Sequence, residues 1–503
     1  MQSYKIIINY QLTIINYFVT LPTVMWIIVI ICIYFAALMF ISRLTQRRAD
    51  NQTFFRAERR SPWYMVAFGM VGASISGVTF VSVPGMVLSS QMTYLQVCLG
   101  FIVGYLVVAF VLLPVYYKLN LTSIYMYLGQ RLGRQSYQTG AWFFLLSKMV
   151  GATIKFYVVC MVLQQFVFEA LGVPFMVSVL VLVLLIWLYT RKGGVRTLVF
   201  TDVFQTSCLF VALLLIIYMV MLQMDFSLTD VLGALYTDER SRVFEFDDWT
   251  SPRYFWKQFL SGAFIVIVMT GLDQDMMQKN LTCRSLREAQ KDMCSYGVAF
   301  VPVNLLFLAL GVLLAQLFES QDVALPAKGD ELLPLYVEHT SSFFHITSYL
   351  FVLGIVAASF SSADSALTSL TTSYCVDIKG RAHDEQLRKR SHLIICLLFA
   401  VMIIVFHLLN NKSLIDAIYT IVSYTYGPLL GLFVFGLFTK RLVNDRWTPV
   451  VCVISPCFCY AIDSMSQMLW GYHFGYELLM VNGLLTFLGL WLLSRSAECQ
   501  SPS

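Results

Sequence analysis

The chain has 503 residues, of which 58% are hydrophobic and 13% are charged, and its mean hydropathy is +0.72. A soluble domain carries roughly 25% charged residues and cannot hide this much apolar surface from water, so the composition excludes a soluble globular protein. The net charge of +5 accompanies no nucleic-acid-binding signature, and we expect no nucleic-acid partner.

Apolar runs of bilayer length recur from Val24 to Leu493 and predict a single all-α membrane domain. About 20 apolar residues are needed to cross the hydrocarbon core as a helix. The runs number about thirteen, and each is expected to be a transmembrane helix. In chain order they are Thr23–Arg43, Trp63–Leu88, Thr93–Tyr117, Gln138–Leu171, Phe175–Tyr189, Thr197–Leu222, Phe255–Met277, Ser295–Phe318, Phe344–Val376, His392–Leu409, Leu414–Phe438, Thr448–Ile462 and Leu478–Leu493.

Lysine and arginine residues are concentrated in alternate loops, and this bias orients the predicted helices. The rich loops include Arg43–Arg60, Arg191–Arg196, Lys279–Lys291 and Lys379–Arg390, whereas the loops between them hold few basic residues. Cytoplasmic loops retain positive charge during insertion. The N-terminus is therefore predicted to lie outside the cell membrane and the C-terminus in the cytoplasm.

The segments at the two ends of the chain are predicted not to belong to the central group of helices. Residues 1–22 are either an extracellular extension or an over-extended start, with Met25 as the natural initiator. Residues 23–61 hold the first helix and a basic cytoplasmic loop. Residues 441–503 hold two additional helices and a short cytoplasmic tail.

Two of the predicted spans contain residues that interrupt a helix. Trp63–Leu88 includes FGMVGASISGVTFVSVPG, with four glycines and a proline, and Phe255–Met277 includes Gly271 followed closely by the polar run DQD. A helix is broken at membrane depth only where a cavity or a buried partner satisfies the freed carbonyl groups. Paired interruptions in two halves of a chain indicate an inverted-repeat transporter with a binding site near the membrane midplane.

Six charged residues lie within the predicted spans, where charge is costly and usually faces a cavity. One interpretation is that they pair with each other and hold the helices together; the other is that they form a transport site. They are Lys148, Lys155, Asp202, Asp273, Asp275 and Asp364.

The span Phe344–Val376 contains the polar sequence AASFSSADSALTSLTTS. Ala358, Ser361, Ser362 and Ser365 follow each other at i, i+3, i+4 and i+7, which places them on one helix face. Small hydroxylated residues in membrane helices usually serve close packing and interhelical hydrogen bonds. A monovalent cation also needs several such oxygens, and this face supplies them beside Asp364.

Six motifs in order resemble those of the sodium/solute symporter family, which includes bacterial proline, galactose and sialic acid symporters and animal glucose, iodide and multivitamin symporters. The resemblance covers roughly Trp63 to Lys440. The motifs are ISGVTFVSVPG from Ile75, TDVFQ from Thr201, DQDMMQK from Asp273, GDELLP from Gly329, the serine-rich helix that leads into DIKG ending at Gly380, and TYGPLLGLF from Thr425.

The resemblance implies the leucine-transporter fold, with two inverted five-helix repeats that we assign to residues 62–223 and 224–440. It also implies two sodium sites. The first would use the carbonyl groups of Gly72, Ile75 and Ala358 and the hydroxyl groups of Ser361 and Ser362. The second, present in some members, would use Asp202 and Ser365, with Asp364 where the family has a serine. The additional carboxylate would either hold sodium more tightly or share a proton.

The resemblance places the solute beside the two broken helices, where Thr79, Phe80, Asp273 and Gln274 are candidate contacts. Lys155 either pairs with a carboxylate of the solute or neutralises Asp364 or Asp202. Tyr419 and Tyr424 either line the same cavity or belong to the aromatic core.

The function implied is sodium-coupled uptake of a small organic solute by alternating access, with Na⁺ as the coupling ion and no other cofactor or metal. An anionic solute is one interpretation of Lys155. A membrane sensor that uses a symporter fold is the alternative. A membrane enzyme is disfavoured, because His345 and His407 stand alone in the sequence.

Overall fold

The computed structural model describes residues 2–45, 54–55, 57–340, 345–409, 414–472 and 474–495; for 2–23, 58, 192–193, 345, 414–421 and 470 it describes the backbone alone. The described chain is almost entirely helical. The helices are α1 Gln2–Thr45, α2 Trp63–Ser74, α3 Gly77–Ser90, α4 Tyr94–Lys118, α5 Met126–Arg131, α6 Arg134–Phe168, α7 Phe175–Arg191, α8 Gly194–Met224, α9 Leu228–Thr237, α10 Phe255–Gly271, α11 Gln274–Asn280, α12 Leu286–Ser320, α13 Leu332–Thr340, α14 Ile346–Ile378, α15 Glu385–Leu409, α16 Leu414–Phe438, α17 Thr448–Trp470 and α18 Leu478–Leu492. Two short strands, Leu442–Val443 and Ser494–Arg495, pair antiparallel.

Each of the thirteen predicted apolar segments is helical in the described part of the chain. Eight helices there are long and apolar enough to cross a membrane, and two bent pairs, α2 with α3 and α10 with α11, bring the number to ten. The helices α7, α16 and α18 are shorter apolar segments. The all-α membrane architecture is therefore confirmed, whereas the number of membrane crossings stays a prediction.

The helices differ in how deeply they lie within the protein. The most apolar part of α14 is 72% buried, compared with 28% for α1 and 22% for α17. Helix α14 packs against α6, α8 and both halves of the first broken helix. Large apolar side chains on the peripheral helices point outward, as expected for a surface that contacts lipid tails.

The two predicted interruptions are real breaks in the helices. The axes of α2 and α3 differ by 61°, and those of α10 and α11 by 70°. Hydroxyl groups satisfy the carbonyl groups that each break frees: Ser362 donates to the Ala73 carbonyl at 2.8 Å, while Tyr116 and Tyr125 donate to those of Gly271 and Leu272, each at 2.9 Å. Both breaks therefore lie against protein and not against lipid.

The backbone of α2 at Gly72 packs closely against the Thr206 side chain of α8. A Cβ atom added at Gly72 would lie 1.9 Å from Thr206 Oγ1, so only glycine fits at this crossing. This contact places the end of α2 next to Asp202, which is one turn earlier on α8.

One predicted loop residue lies in the protein interior. The predicted span ends at Met277 and so predicts Lys279 in a cytoplasmic loop, but α11 continues to Asn280 and Lys279 is 2% exposed. Its charge therefore carries no information about membrane topology, and the remaining basic loop residues are the ones on which the orientation rests.

Candidate ion and solute sites

A cavity of about 150 Å³ lies between the two broken helices, α4, α6, α14 and α16. Three of the predicted solute contacts line it: Thr79, Lys155 and Asp273. Ser362, which belongs to the predicted first sodium site, and Ala73, whose carbonyl accepts from Ser362, also contribute to its wall. The solute cavity and the predicted ion site therefore share a boundary.

An ion-pair network forms one wall of the cavity. The Lys148 ammonium lies 3.1 Å from an oxygen of Asp273 and 2.7 Å from an oxygen of Asp275. The hydroxyl of Tyr426 donates to Asp273 at 2.8 Å. Lys148, Asp273 and Asp275 therefore pair with each other between helices, which agrees with the first interpretation of the charged residues.

Lys155 stands apart from this network. Its half-buried side chain lines the same cavity, two turns beyond Lys148 on α6, and no carboxylate among the described residues lies within ion-pair distance of it. The expectation that Lys155 neutralises Asp202 or Asp364 is not met, because both carboxylates have other partners. Lys148 pairs with Asp273 and Asp275, whereas Lys155 offers a positive charge with no carboxylate of the described residues in contact with it.

Two predicted solute contacts point elsewhere. The ring of Phe80 is fully buried and packs against Phe307 and Phe351, with ring centroids 5.5 and 6.2 Å apart. The side-chain amide of Gln274 accepts from the backbone of Ile124 at 2.9 Å and donates to that of Thr122 at 3.0 Å, so it anchors the loop before α5.

The tyrosines of α16 also differ from the prediction in which of them line the cavity. Tyr424 lies near Tyr460, with ring centroids 6.4 Å apart, and is not among the cavity residues. The side chain of Tyr419 lies outside what the structure describes. Tyr426, which sequence reasoning missed, lines the cavity instead. The spacing of the tyrosines could have identified Tyr426, because it follows Tyr419 by seven residues and residues seven apart share a helix face. Tyr424 follows Tyr419 by five residues and lies on a different face.

The predicted first sodium site lies where α2 ends against α14. The hydroxyl of Ser362 donates to the carbonyl of Ala73 at 2.8 Å and is 3.2 Å from that of Ala358. Ile75 caps α2 in an extended conformation, which turns the carbonyl groups of the break out of helical alignment. A hydroxyl oxygen keeps its lone pairs after donating its proton, so this set of neutral oxygens fits a hard cation such as sodium.

The predicted second sodium site already contains a cation from the protein. The Lys279 ammonium lies 2.8 Å from an oxygen of Asp202, and the two side chains are 2% and 0% exposed. The other oxygen of Asp202 accepts from Ser361 at 2.8 Å. Sequence reasoning missed Lys279 because its helix was ended too early, although Asp275 and Lys279 are four residues apart and share a face of α11.

Asp364 is held separately within the same region. Its carboxylate accepts from the hydroxyl of Tyr189 at 2.8 Å and from that of Ser365 at 3.3 Å, and it is fully buried. The structure thus brings Asp202, Asp364 and Ser365 into one region, and it adds Lys279 and Tyr189 as partners that sequence reasoning did not identify.

Comparison with known proteins agrees with this architecture. A sodium/sialic acid symporter of Aliivibrio fischeri is 27% identical over 438 residues, which cover 84% of this chain and 85% of that protein. The human sodium/iodide cotransporter is 25% identical over 79% of this chain and 62% of its own length. The solved structure of a Na⁺-coupled sialic acid symporter superposes with a TM-score of 0.78 at 20% identity, covering 93% of this chain and 99% of that one.

A second solved structure, that of a transporter of the nucleobase-cation-symport-1 family, superposes with a TM-score of 0.56 at 14% identity over 88% of this chain. These likenesses confirm the predicted leucine-transporter-like fold. The model of the sodium:solute symporter family matches residues 54–446, which is most of the chain. The chain therefore belongs to the sodium:solute symporter family.

Proposed function

We propose that this protein takes up a small solute bearing a carboxylate together with sodium, and that Lys155 binds the carboxylate. The observation that carries the proposal is a lysine in the cavity wall with no carboxylate at ion-pair distance among the described residues. An ammonium in a partly dehydrated cavity is stabilised by a negative charge brought by a ligand. The relatives named for sialic acid and iodide are consistent with a negatively charged solute.

Sodium binding is coupled to solute binding through a shared wall. A cation held by Ser362 and the carbonyl groups at the end of α2 fixes α2 against α14, and Ala73 and Ser362 also line the cavity. Ordering this wall lowers the entropy lost when the solute binds, which makes the two binding events cooperative. Inward movement of one positive charge adds about 2.3 kcal/mol per 100 mV of membrane potential.

Alternating access then follows from movement of two inverted repeats, residues 62–223 and 224–440, around this midplane site. The broken helix α2–α3 opens residues 62–223, and the broken helix α10–α11 is the first membrane-length segment of residues 224–440, which supports the assignment. The orientation, with the N-terminus outside and the C-terminus in the cytoplasm, is supported by the basic loops that remain when Lys279 is set aside.

The role of Lys155 is tested by uptake into proteoliposomes with an inward sodium gradient. The probes are radiolabelled sialic acid, lactate and iodide, each competed by the corresponding unlabelled compound and, for the acids, by the neutral methyl ester. We expect a carboxylate to be accumulated, the ester to compete poorly, and Lys155→Met to raise KM at least about tenfold, the loss equivalent to 1.4 kcal/mol of binding. Lys155→Arg keeps the charge and is expected to retain part of the affinity.

Lys389→Met is the matched control, because the Lys389 side chain is 59% exposed and pairs with Glu385 on the surface of α15. It should leave KM unchanged. An unchanged KM in Lys155→Met, or equal competition by acid and ester, would contradict the proposed carboxylate contact while leaving sodium coupling intact.

The orientation is tested by cysteine labelling in intact cells. Tyr236 and His383 are exposed residues from loops that we assign to opposite sides of the membrane. In a background with the exposed Cys32 and Cys457 changed to serine, Tyr236→Cys should react with an impermeant maleimide and His383→Cys only after permeabilisation. The reverse pattern would overturn the assignment.

A further inference from the structure

The Lys279–Asp202 ion pair lies away from the solute cavity. Neither residue lines the cavity, and both side chains are almost completely removed from solvent. The nearby Lys148 differs in that it lines the cavity and is 15% exposed. Lys279 is therefore unsuited to solute binding, and its charge acts on the protein interior.

The groups that face Lys279 come from three helices. Asp202 belongs to α8 and is in contact, while Asp275 of α11 and Asp364 of α14 interact with the ammonium electrostatically at longer range. Asp275 is already paired with Lys148. The hydroxyl groups of Ser361 and Tyr189 complete the polar surroundings of Asp202 and Asp364. Lys279 is thus the cation that balances the buried carboxylate of Asp202.

These surroundings contain the oxygen atoms that a monovalent cation needs. Carboxylate and hydroxyl oxygens are typical ligands for hard cations, and Asp202, Asp364 and Ser361 supply them in a region closed to solvent. The ammonium of Lys279 takes the place of such an ion against Asp202. Because its side chain belongs to α11, which is buried throughout its seven residues, this cation cannot dissociate into the cytoplasm.

We propose that the Lys279 ammonium is a tethered cation that replaces a second sodium ion, so that this protein couples one sodium ion to each solute. The proposal rests on the proposed sodium-coupled uptake. It concerns how many ions move, and therefore goes beyond that function. Ser361 connects the two positions, since it donates to Asp202 and is adjacent in sequence to Ser362 of the first sodium site.

The consequence is a change in stoichiometry when the ammonium is removed. Lys279→Ala frees the Asp202 oxygen that contacts the ammonium for a soluble cation and provides space for one, while the other oxygen keeps its hydrogen bond from Ser361. We expect the number of sodium ions per solute, obtained from reversal potentials in proteoliposomes with an imposed potassium potential, to rise from one to two. The sodium dependence of uptake should also become steeper.

Two further variants make the result specific. Asp202→Asn/Lys279→Met removes both charges and should keep one sodium ion per solute. Lys389→Met, which removes an exposed lysine, should also leave the stoichiometry unchanged. Thermal unfolding in detergent provides a second measurement, in which sodium should raise the Tm of Lys279→Ala more than that of the double variant, with choline as the reference cation.

The outcomes separate this proposal from the function on which it rests. Uptake by the unmodified protein that does not depend on sodium contradicts the proposed function itself. Sodium-coupled uptake with two ions in the unmodified protein, or with one ion in Lys279→Ala, contradicts the tethered cation alone. A Lys279→Ala protein that fails to fold at any sodium concentration, while the double variant folds, also contradicts it, because sodium should replace the ammonium.

Discussion

Two polar regions along α14 differ in how their oxygen atoms are balanced. At Ser362 the oxygens are neutral hydroxyl and carbonyl groups, and no protein cation contacts them among the described residues. At Asp202 the oxygens are charged, and Lys279 lies against them. Neutral oxygens carry no charge that the protein must balance, whereas a carboxylate in the membrane interior needs a cationic partner.

A run of small polar residues on a membrane helix can therefore contact two different kinds of partner. Ser361 and Ser362 are adjacent, yet one donates to a carboxylate and the other to the end of a broken helix. Neighbouring residues on a helix point about 100° apart, so they meet different partners. Mutations in each region are therefore expected to have different consequences, from a large loss of stability to a small change in sodium dependence.

The largest effect is expected for Asp202→Asn, which leaves the Lys279 ammonium buried without its closest carboxylate. Breaking a buried ion pair typically costs about 3 to 5 kcal/mol. We expect the lower end of this range, since Asp364 still interacts with the ammonium. The measurement is thermal unfolding in detergent, with Asp202→Asn/Lys279→Met recovering most of the loss. Equal stability of Asp202→Asn and the unmodified protein would show that the pair is not formed.

A smaller effect is expected for Ser362→Ala, which removes one oxygen ligand and the hydrogen bond to Ala73. A hydrogen bond contributes about 0.5 to 1.5 kcal/mol, and more when the partner is charged. The sodium concentration for half-maximal uptake should therefore rise about tenfold. Ser369→Ala is the control, because the Ser369 hydroxyl donates to the carbonyl of Ala366 on the same helix. Equal sodium dependence in both variants would remove Ser362 from the site.

Asp364→Ser tests whether the second carboxylate contributes to ion binding. Asp202 and Lys279 remain paired in this variant, and the Tyr189 hydroxyl loses one acceptor, so we expect a loss of stability of about 1 kcal/mol. Sodium stoichiometry should be unchanged in uptake measurements. A change in stoichiometry would instead assign Asp364 to a sodium site.

The smallest effect is expected for Ser365→Ala. Its hydroxyl lies 3.3 Å from Asp364, the longest of the hydrogen bonds in this region, and contributes little to the balance of charge. The sodium concentration for half-maximal uptake should change by less than about threefold, which corresponds to less than about 1 kcal/mol of binding free energy. Loss of sodium-dependent uptake in Ser365→Ala would favour a second sodium ion at the charged region.

The membrane architecture was predictable because it depends on local patterns. The length of the apolar runs predicts where the helices lie. The breaks at Ile75 and Leu272 follow from nearby glycine and polar residues. The cavity contacts of Thr79 and Asp273 also follow from these breaks. Phe80 points away because it is the next residue around the same helix.

The ion-pair partners could not be predicted in the same way, because they depend on distant parts of the chain. Asp202 and Lys279 belong to different proposed repeats and meet only when α8 packs against α11. Helix α11 extends three residues beyond Met277, and this extension places Lys279 in the interior and not in the predicted loop. Helix ends are the least reliable part of a sequence prediction, and here one end concealed a charge.

The most direct test of sodium-coupled transport measures uptake of radioactive sodium into proteoliposomes, with and without a mixture of small unlabelled carboxylates outside. We predict that the carboxylates increase sodium uptake, and that an inward sodium gradient drives accumulation of a labelled carboxylate that monensin abolishes. Sodium uptake that no solute increases, together with equal solute uptake in sodium and choline, would contradict the account and favour a sensor that binds without transport.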